Sequence, residues 1–250
     1  MVSLTRENGP VVVAHRGASG HRPENTFASF DLAVKMGADM IELDVHPSGD
    51  GDLVVMHDDT VDRTTGGHGR ICTMSTSELR RLNAASKSSW DAFEPVPTFA
   101  EVLERYPRQI PLMVEVKHGS SVYPRVESKV VEELKRHDAL DLVELISFDL
   151  ECLRNIRRES GSVKTGFIFI GNMAAFADAF GSQFDALHGL WNFVTKAHVD
   201  RVRGLGYPAY VWTANSEEEI GESLRTGADG VVSNYPDRVL KALGRPSKPS

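Results

Sequence analysis

Two hydrophobic periods alternate along this chain. Short apolar runs, typical of buried strands, are followed by stretches whose apolar residues recur every three or four positions, as on one face of a packed helix. The first such pair is a strand at Val11–His15 and a helix at Asn25–Met36, with Phe27, Phe30 and Val34 on its apolar side. The pattern indicates an α/β protein in which strands and helices follow one another in turn.

Seven more pairs follow the first. The further predicted strands are Asp39–Val45, Leu112–Lys117, Val143–Phe148, Val163–Ile170, Leu187–Trp191, Ala209–Thr213 and Gly230–Ser233. The further predicted helices are Thr98–Tyr106, Val126–Arg136, Leu150–Arg158, Met173–Phe180, Lys196–Leu205, Ser216–Arg225 and Pro236–Leu243. Eight strands that each precede a helix, in a chain of 250 residues, predict a (β/α)₈ TIM barrel. A doubly wound open sheet is the alternative.

The segment between His57 and Pro97 does not fit this alternation. It is polar, rich in glycine, serine and threonine, and only weakly periodic. We predict that residues 58–96 form a small insertion after the second barrel strand, capping the carboxyl end of one domain that spans 1–250. The alternative is a plain long loop, which would be uncommon at this length. The tail from Gly244 to Ser250 is expected to be disordered.

Composition excludes several classes of function. The net charge of −7 argues against nucleic acid as the main partner. No apolar run approaches the ~20 residues of a transmembrane helix, so we expect no stable membrane insertion. The amino terminus lacks the apolar region of a signal peptide, and the two cysteines suggest no disulfide framework, so we expect a cytoplasmic protein.

Three carboxylates stand at the ends of two predicted strands. Glu42 and Asp44 share one face of their strand, and Glu115 lies on the next barrel strand. The carboxyl ends of barrel strands carry active sites, and clustered carboxylates suit a hard cation. The sequence therefore predicts one divalent metal ion, Mg²⁺ or Ca²⁺. Two alternatives remain: a solvated edge strand, or buried ion pairs of these carboxylates with Lys117 and arginines.

Two histidines are predicted to meet this cluster. His15 ends the first strand. Asp50 and Gly51 form a hairpin signal between two apolar runs, and a two-residue turn there would place Asp44 opposite His57. Histidines titrate near neutral pH, so this pair could supply a general acid and a general base. The pattern gives no such placement to His21, His46 or His68.

Positive charge accompanies the histidines. Arg16 follows His15, and Lys117 shares a strand face with Glu115. These two cations suit a phosphate, which arginine can grip with two hydrogen bonds. Gly17 would then let the backbone come close to the ligand.

These motifs together resemble the glycerophosphodiester phosphodiesterase family, in order and in spacing over nearly the whole chain. The matching segments are His15-Arg16-Gly17, Pro23-Glu24-Asn25-Thr26, Glu42-Leu43-Asp44-Val45, His57-Asp58, Glu115-Val116-Lys117, Trp212-Thr213-Ala214-Asn215 and Gly230-Val231-Val232-Ser233. One departure is visible, since Asn234 stands where many members carry Asp.

The resemblance implies a TIM barrel with a small insertion after its second strand. It implies a divalent metal on the three carboxylates, acid and base roles for His15 and His57, and phosphate contacts from Arg16 and Lys117. It also implies an aromatic wall that includes Phe148 and Trp212.

We therefore expect metal-dependent hydrolysis of glycerophosphodiesters to sn-glycerol 3-phosphate and an alcohol, with small molecules as substrates. One alternative is head-group removal from lysophospholipids, a lysophospholipase D-type activity. The other is a barrel that binds a phosphorylated metabolite without turning it over.

Overall fold

The structure, a computed structural model, describes residues 9–180 and 183–245 of the chain. Its strands are β1 Val11–His15, β2 Met40–Pro47, β3 Leu53–Val55, β4 Leu112–Val116, β5 Val143–Ser147, β6 Lys164–Phe169, β7 Ala186–Leu190, β8 Ala209–Trp212 and β9 Gly230–Ser233. Its helices are α1 Phe27–Met36, α2 Thr76–Leu79, α3 Phe99–Arg105, α4 Val126–Arg136, α5 Leu150–Glu159, α6 Met173–Phe180, α7 Lys196–Gly204, α8 Glu217–Arg225 and α9 Pro236–Ala242. None of the described helices is long and apolar enough to cross a membrane.

The parallel strands close into a barrel. Their order is β1, β2, β4, β5, β6, β7, β8 and β9, and β1 pairs with both β2 and β9. The predicted TIM barrel is confirmed, and the open-sheet alternative is wrong because none of the eight described barrel strands is left at an edge. Glu42 and Asp44 therefore lie on a central strand, which also removes the alternative of a solvated edge strand.

Strand alternation separates two apolar cores. Ile41, Leu43 and Val45 face outward and join the larger core between the barrel and its helices. The interior of the barrel holds a smaller apolar cluster from alternating strand positions, including Met40 and Met113. Because Glu42 and Asp44 alternate with the outward set, their side chains lie on the inner face of the barrel.

The β2–β3 hairpin differs from its predicted register by one residue. Val45 pairs with Val55, and the Ser48 N–H donates to the Asp52 carbonyl at 2.8 Å. The turn therefore has three central residues, of which Gly51 adopts φ +96°. As a result Met56, rather than His57, bonds to the Asp44 backbone, and His57 lies one residue beyond the pair.

The segment 58–96 packs on an apolar cluster that it shares with the end of the hairpin. The cluster combines Val54 of β3 and the nearby Met56 with Val61, Ile71, Leu79, Ala84 and Val96 of the segment. The segment includes α2 and a 3₁₀ turn at Ile71–Thr73, and Glu94 accepts a hydrogen bond from the Ala28 N–H at the start of α1. The plain-loop alternative is therefore wrong, while the role of this segment as a cap remains a prediction.

The predicted disordered tail lies mostly outside the described residues, which end at 245. Arg245 is described, and its guanidinium makes two 2.8 Å hydrogen bonds to the Asp39 carboxylate. The prediction of disorder is wrong for Gly244 and Arg245, because this bidentate ion pair ties them to the loop before β2.

Candidate active site

Three carboxyl groups meet at the inner face of neighbouring strands. Asp44 on β2 is directly opposite Glu115 on β4, and Glu42 lies two residues earlier on β2. One ligand atom from each of the three lies within 4.8 Å of the others, and all three residues are buried. The structure therefore brings together the three residues that the sequence predicts as metal ligands.

Two cations contact this triad. The Lys117 ammonium lies 2.8 Å from Asp44 Oδ1 and 2.7 Å from Glu115 Oε1. Arg16 approaches Asp44 Oδ2 with its Nε at 3.4 Å and donates its backbone N–H to Glu42 Oε2 at 2.9 Å. The buried ion pairs that the sequence left as an alternative are thus present, and they coexist with the cluster of three carboxylates.

The pKa values of the triad show that two cations do not balance three carboxyl groups. Burial and the Asp44 charge raise the pKa of Glu42 well above its usual value. Burial raises the pKa of Glu115 to about 7, although Lys117 opposes the shift. Only for Asp44 is burial outweighed, chiefly by Lys117 and Arg16, which hold its pKa low.

The donor set therefore fits a divalent cation. A further positive charge among these oxygens would stabilise the ionised form of all three carboxyl groups. Carboxylate oxygens are the ligands that Mg²⁺ and Ca²⁺ prefer. The residues that could hold such an ion are Glu42, Asp44 and Glu115.

His15 is held at the end of β1 by a residue from the far end of the chain. Its Nδ1 lies 2.6 Å from Asn234 Oδ1, and its Nε2 lies 3.9 Å from Glu42 Oε2. An amide oxygen only accepts, so Nδ1 carries the proton and Nε2 is the free nitrogen. Burial, assisted by Arg16, lowers the pKa of His15 to about 4, which favours the neutral ring.

His57 is held in the same way by its neighbour. Its Nδ1 lies 2.7 Å from Asp58 Oδ1. Burial alone would raise the pKa of Asp58, but hydrogen bonds from Arg63 and His57 outweigh it and lower that pKa to about 2. The ionised carboxylate accepts from Nδ1–H, which leaves Nε2 of His57 free for a proton.

Two residues around these groups were missed by the sequence analysis. His46 is fully buried and donates from Nε2 to the His57 carbonyl at 3.0 Å, while its Nδ1 accepts from the Tyr123 hydroxyl at 3.1 Å. Asn25 donates to Asp44 Oδ2 at 2.8 Å. The alternation that selects Glu42 and Asp44 also selects His46, so the signal was present.

Gly17 has a different role from the one expected. Its φ is +80°, and an added Cβ would lie 2.4 Å from Ser29 Oγ in α1. Glycine is therefore required at this position by the close approach of α1, and the ligand need not be invoked.

Two aromatic side chains form one wall of the cavity at the site. The Phe148 and Trp212 rings meet edge to face with centroids 5.6 Å apart, and Trp212 donates from Nε1 to the His188 carbonyl. They line a cavity of about 130 Å³ together with both predicted histidines and with Lys117. A wider groove of about 850 Å³ adjoins this cavity and shares His57, Lys117 and Phe148 with it.

Comparison with known proteins identifies the family. Residues 15–238 match the model of the glycerophosphoryl diester phosphodiesterase family. The chain belongs to this family. YhdW of Bacillus subtilis is 37% identical over 92% of this chain and 96% of its own length. The glycerophosphodiester phosphodiesterase of Caldanaerobacter subterraneus is 32% identical over 93% of this chain and 97% of its own.

A solved structure agrees in fold and in sequence. A phosphodiesterase of Oleispira antarctica, in complex with the product sn-glycerol-3-phosphate, is 30% identical and superposes with a TM-score of 0.85 over 94% of this chain and 97% of its own. The resemblance read from the motifs is therefore confirmed, and the chain is an enzyme of the phosphodiesterase class.

Within this phosphodiesterase, Asn234 has a testable effect on His15. Replacing Asn234 with Ala removes the acceptor for Nδ1–H, so we expect kcat for glycerophosphodiester hydrolysis to fall by about 10- to 100-fold, the size of loss seen when residues that orient metal ligands are removed. Asn234→Asp keeps an acceptor oxygen and should retain most activity. Steady-state kinetics beside thermal unfolding measure both effects. Equal activity of Asn234→Ala and wild type would contradict the orienting role.

Proposed function

We propose that this phosphodiesterase hydrolyses glycerophosphodiesters to sn-glycerol 3-phosphate and an alcohol, with one divalent metal ion, Mg²⁺ or Ca²⁺, held by Glu42, Asp44 and Glu115. The observation that carries the proposal is the convergence of this buried triad with two histidines and two cations at one cavity. The product bound to the Oleispira relative supports the choice of sn-glycerol 3-phosphate as the product here.

The cations and the aromatic wall would bind the substrate. A bound metal ion would supply a Lewis acid for a phosphoryl oxygen. Arg16 and Lys117 would stabilise negative charge that develops on the other phosphoryl oxygens, because fixed charges in a site with little water act strongly. Phe148 and Trp212 would contact the carbon atoms of the substrate.

The two histidines would move the protons. Each has Nδ1 engaged with an acceptor, so in each ring Nε2 is the nitrogen available for transfer. We propose that one of them takes a proton from the attacking nucleophile and the other gives a proton to the leaving alcohol.

The segment 58–96 would cap this end of the barrel, and it begins with Asp58, the partner of His57.

The adjoining groove favours one second candidate, a lysophospholipase D-type activity. Phe148 and Val122 line the groove and are each 48% exposed, so an acyl chain would find apolar surface there. Asp58, Asp59 and Asp149 also line it, and these carboxylates interrupt the apolar surface. We therefore favour water-soluble glycerophosphodiesters as substrates.

A panel of three substrates tests this choice. We expect turnover of glycerophosphocholine and glycerophosphoethanolamine, with much lower kcat/KM for lysophosphatidylcholine, because the groove offers little continuous apolar surface to an acyl chain. Enzyme-coupled detection of sn-glycerol 3-phosphate, and of choline for both choline substrates, measures all three. Preference for lysophosphatidylcholine would favour the second candidate. Binding without turnover of any of them would mean that the barrel is a binding protein.

Metal dependence is tested at the triad. Chelator should abolish turnover and added Mg²⁺ or Ca²⁺ restore it, because unbalanced carboxylates surround the proposed ion. Glu42→Gln, Asp44→Asn and Glu115→Gln should each weaken metal binding by at least about 10- to 100-fold, because even the loss of a residue that only orients a metal ligand weakens binding by this factor.

Isothermal titration with metal measures affinity independently of activity. Asp138→Asn, at a carboxylate with 95% of its side chain exposed, is the matched control and should bind metal like wild type. Full turnover in excess chelator would refute the assignment of a metal ion to Glu42, Asp44 and Glu115.

Substitution of the histidines tests their roles. His15→Ala and His57→Ala should each lower kcat by about 10²- to 10⁴-fold, the usual contribution of a general acid or base. The double variant should lose less than the product of the two effects, because the residues act as a unit. His68, which is 83% exposed and bonded to Asp62, is the control. His46 is unsuitable as a control, because its ring donates a hydrogen bond to the His57 carbonyl. Near wild-type kcat for His57→Ala would be incompatible with the assignment.

A further inference from the structure

An arginine of the segment 58–96 joins two carboxylates beside the site. Arg63 donates to Asp58 from Nε at 2.7 Å and from Nη2 at 3.2 Å. It also donates to Glu24 from Nη1 at 2.8 Å and from Nη2 at 2.6 Å. The guanidinium therefore grips both carboxylates with two hydrogen bonds each, the strongest geometry available to this pair of groups.

Each of these carboxylates contacts a predicted site residue. Asp58 accepts from Nδ1 of His57 at 2.7 Å. Glu24 accepts from Nη1 of Arg16 at 3.0 Å. A continuous chain of charge-assisted hydrogen bonds thus runs from His57 through Asp58, Arg63 and Glu24 to Arg16. It connects the segment 58–96 to the loop that follows β1.

We propose that Arg63 is a positioning residue, which fixes the ring of His57 through Asp58 and the guanidinium of Arg16 through Glu24. The inference rests on the proposed function. Arg63 does not line the cavity that holds both histidines, and its side chain donates to Asp58 and Glu24. It therefore acts through its two partners.

Loss of Arg63 would act on the geometry of its partners. Its own side chain is 46% exposed, so Arg63 is not part of a buried core. A carboxylate without a fixed partner can turn away from the imidazole. Asp58 would then no longer hold His57 in the Nδ1–H tautomer that leaves Nε2 free.

The kinetic test compares variants of Arg63 with a matched arginine. Arg63→Ala should lower kcat by about 10- to 100-fold with a smaller change in KM, as is usual for loss of an orienting partner. Arg63→Lys should recover part of the loss, since an ammonium keeps the charge but lacks the planar fork. Arg80→Ala is the control, because Arg80 lies in the same segment, is 36% exposed, and forms an ion pair with Glu101, which lines neither the cavity nor the groove.

A double variant separates positioning from folding. Because Arg63 acts in part through Asp58, Arg63→Ala should lower kcat by a smaller factor in an Asp58→Ala background than in wild type, where the contacts to both Asp58 and Glu24 are lost. Three outcomes would each overturn the proposal. The first is full additivity of the two losses, and the second is a loss of kcat that matches the unfolded fraction seen in thermal unfolding. The third is wild-type kcat in Arg63→Ala.

A spectroscopic readout does not depend on turnover. Long-range ¹H–¹⁵N spectra report the tautomer of a histidine ring, and His57→Ala identifies the signal. We expect the Nδ1–H tautomer in wild type and a mixture of tautomers in Arg63→Ala, whereas an unchanged signal would refute the positioning role. Absence of turnover by wild type would instead refute the proposed function. The tautomer measurement would still test whether Arg63 positions the ring of His57.

Discussion

Burial of three carboxyl groups at the mouth of the barrel is the constraint on which the site depends. Carboxylates that leave water require compensation by charge and hydrogen bonds. Lys117 and Arg16 supply charge, and the Arg16 backbone N–H and Asn25 supply further hydrogen bonds. These contacts stabilise Asp44 as an anion but leave Glu42 and Glu115 with raised pKa values. The imbalance explains why a divalent cation fits the cluster.

Closure of the barrel also fixes the histidines. β1 pairs with β9, so the residue after β9, Asn234, lies beside the end of β1 and holds His15. His57 depends on a different part of the chain, because Asp58 binds its ring and His46 on β2 binds its carbonyl. In both rings Nδ1 is hydrogen-bonded to an acceptor, and the two acceptors come from unrelated parts of the chain. The residues of the candidate site are therefore held by contacts from both the barrel and the segment 58–96.

The shape of the cavity complements this chemistry. The narrow part, of about 130 Å³, lies against the triad, and the wide groove adjoins it along His57 and Phe148. Both parts combine charged groups with apolar residues, such as Met113 and Ile146 in the narrow part and Val122 in the groove. The aromatic pair of Phe148 and Trp212 lies at the cavity wall.

Local patterns in the sequence determined the barrel and the members of the triad. Strand and helix periods are local properties, and alternation along β2 is enough to place Glu42 and Asp44 on one face. The order of the motifs indicated the family, and the resemblance to that family indicated Phe148 and Trp212 as an aromatic wall. Turn chemistry was less decisive: Asp50 and Gly51 indicated a hairpin, but the turn has three central residues and the register moved by one.

Only the tertiary structure decided which groups support these residues. Asn234 meets His15 across 219 positions, and Glu24 meets Arg63 across 39. Such contacts depend on closure of the barrel and on the fold of the segment 58–96, and no local period encodes them. Gly17 illustrates the same limit, since its requirement comes from the approach of Ser29 in α1. Chain direction and side-chain alternation are set by neighbours in sequence, whereas ion pairs and orienting hydrogen bonds are set by neighbours in space.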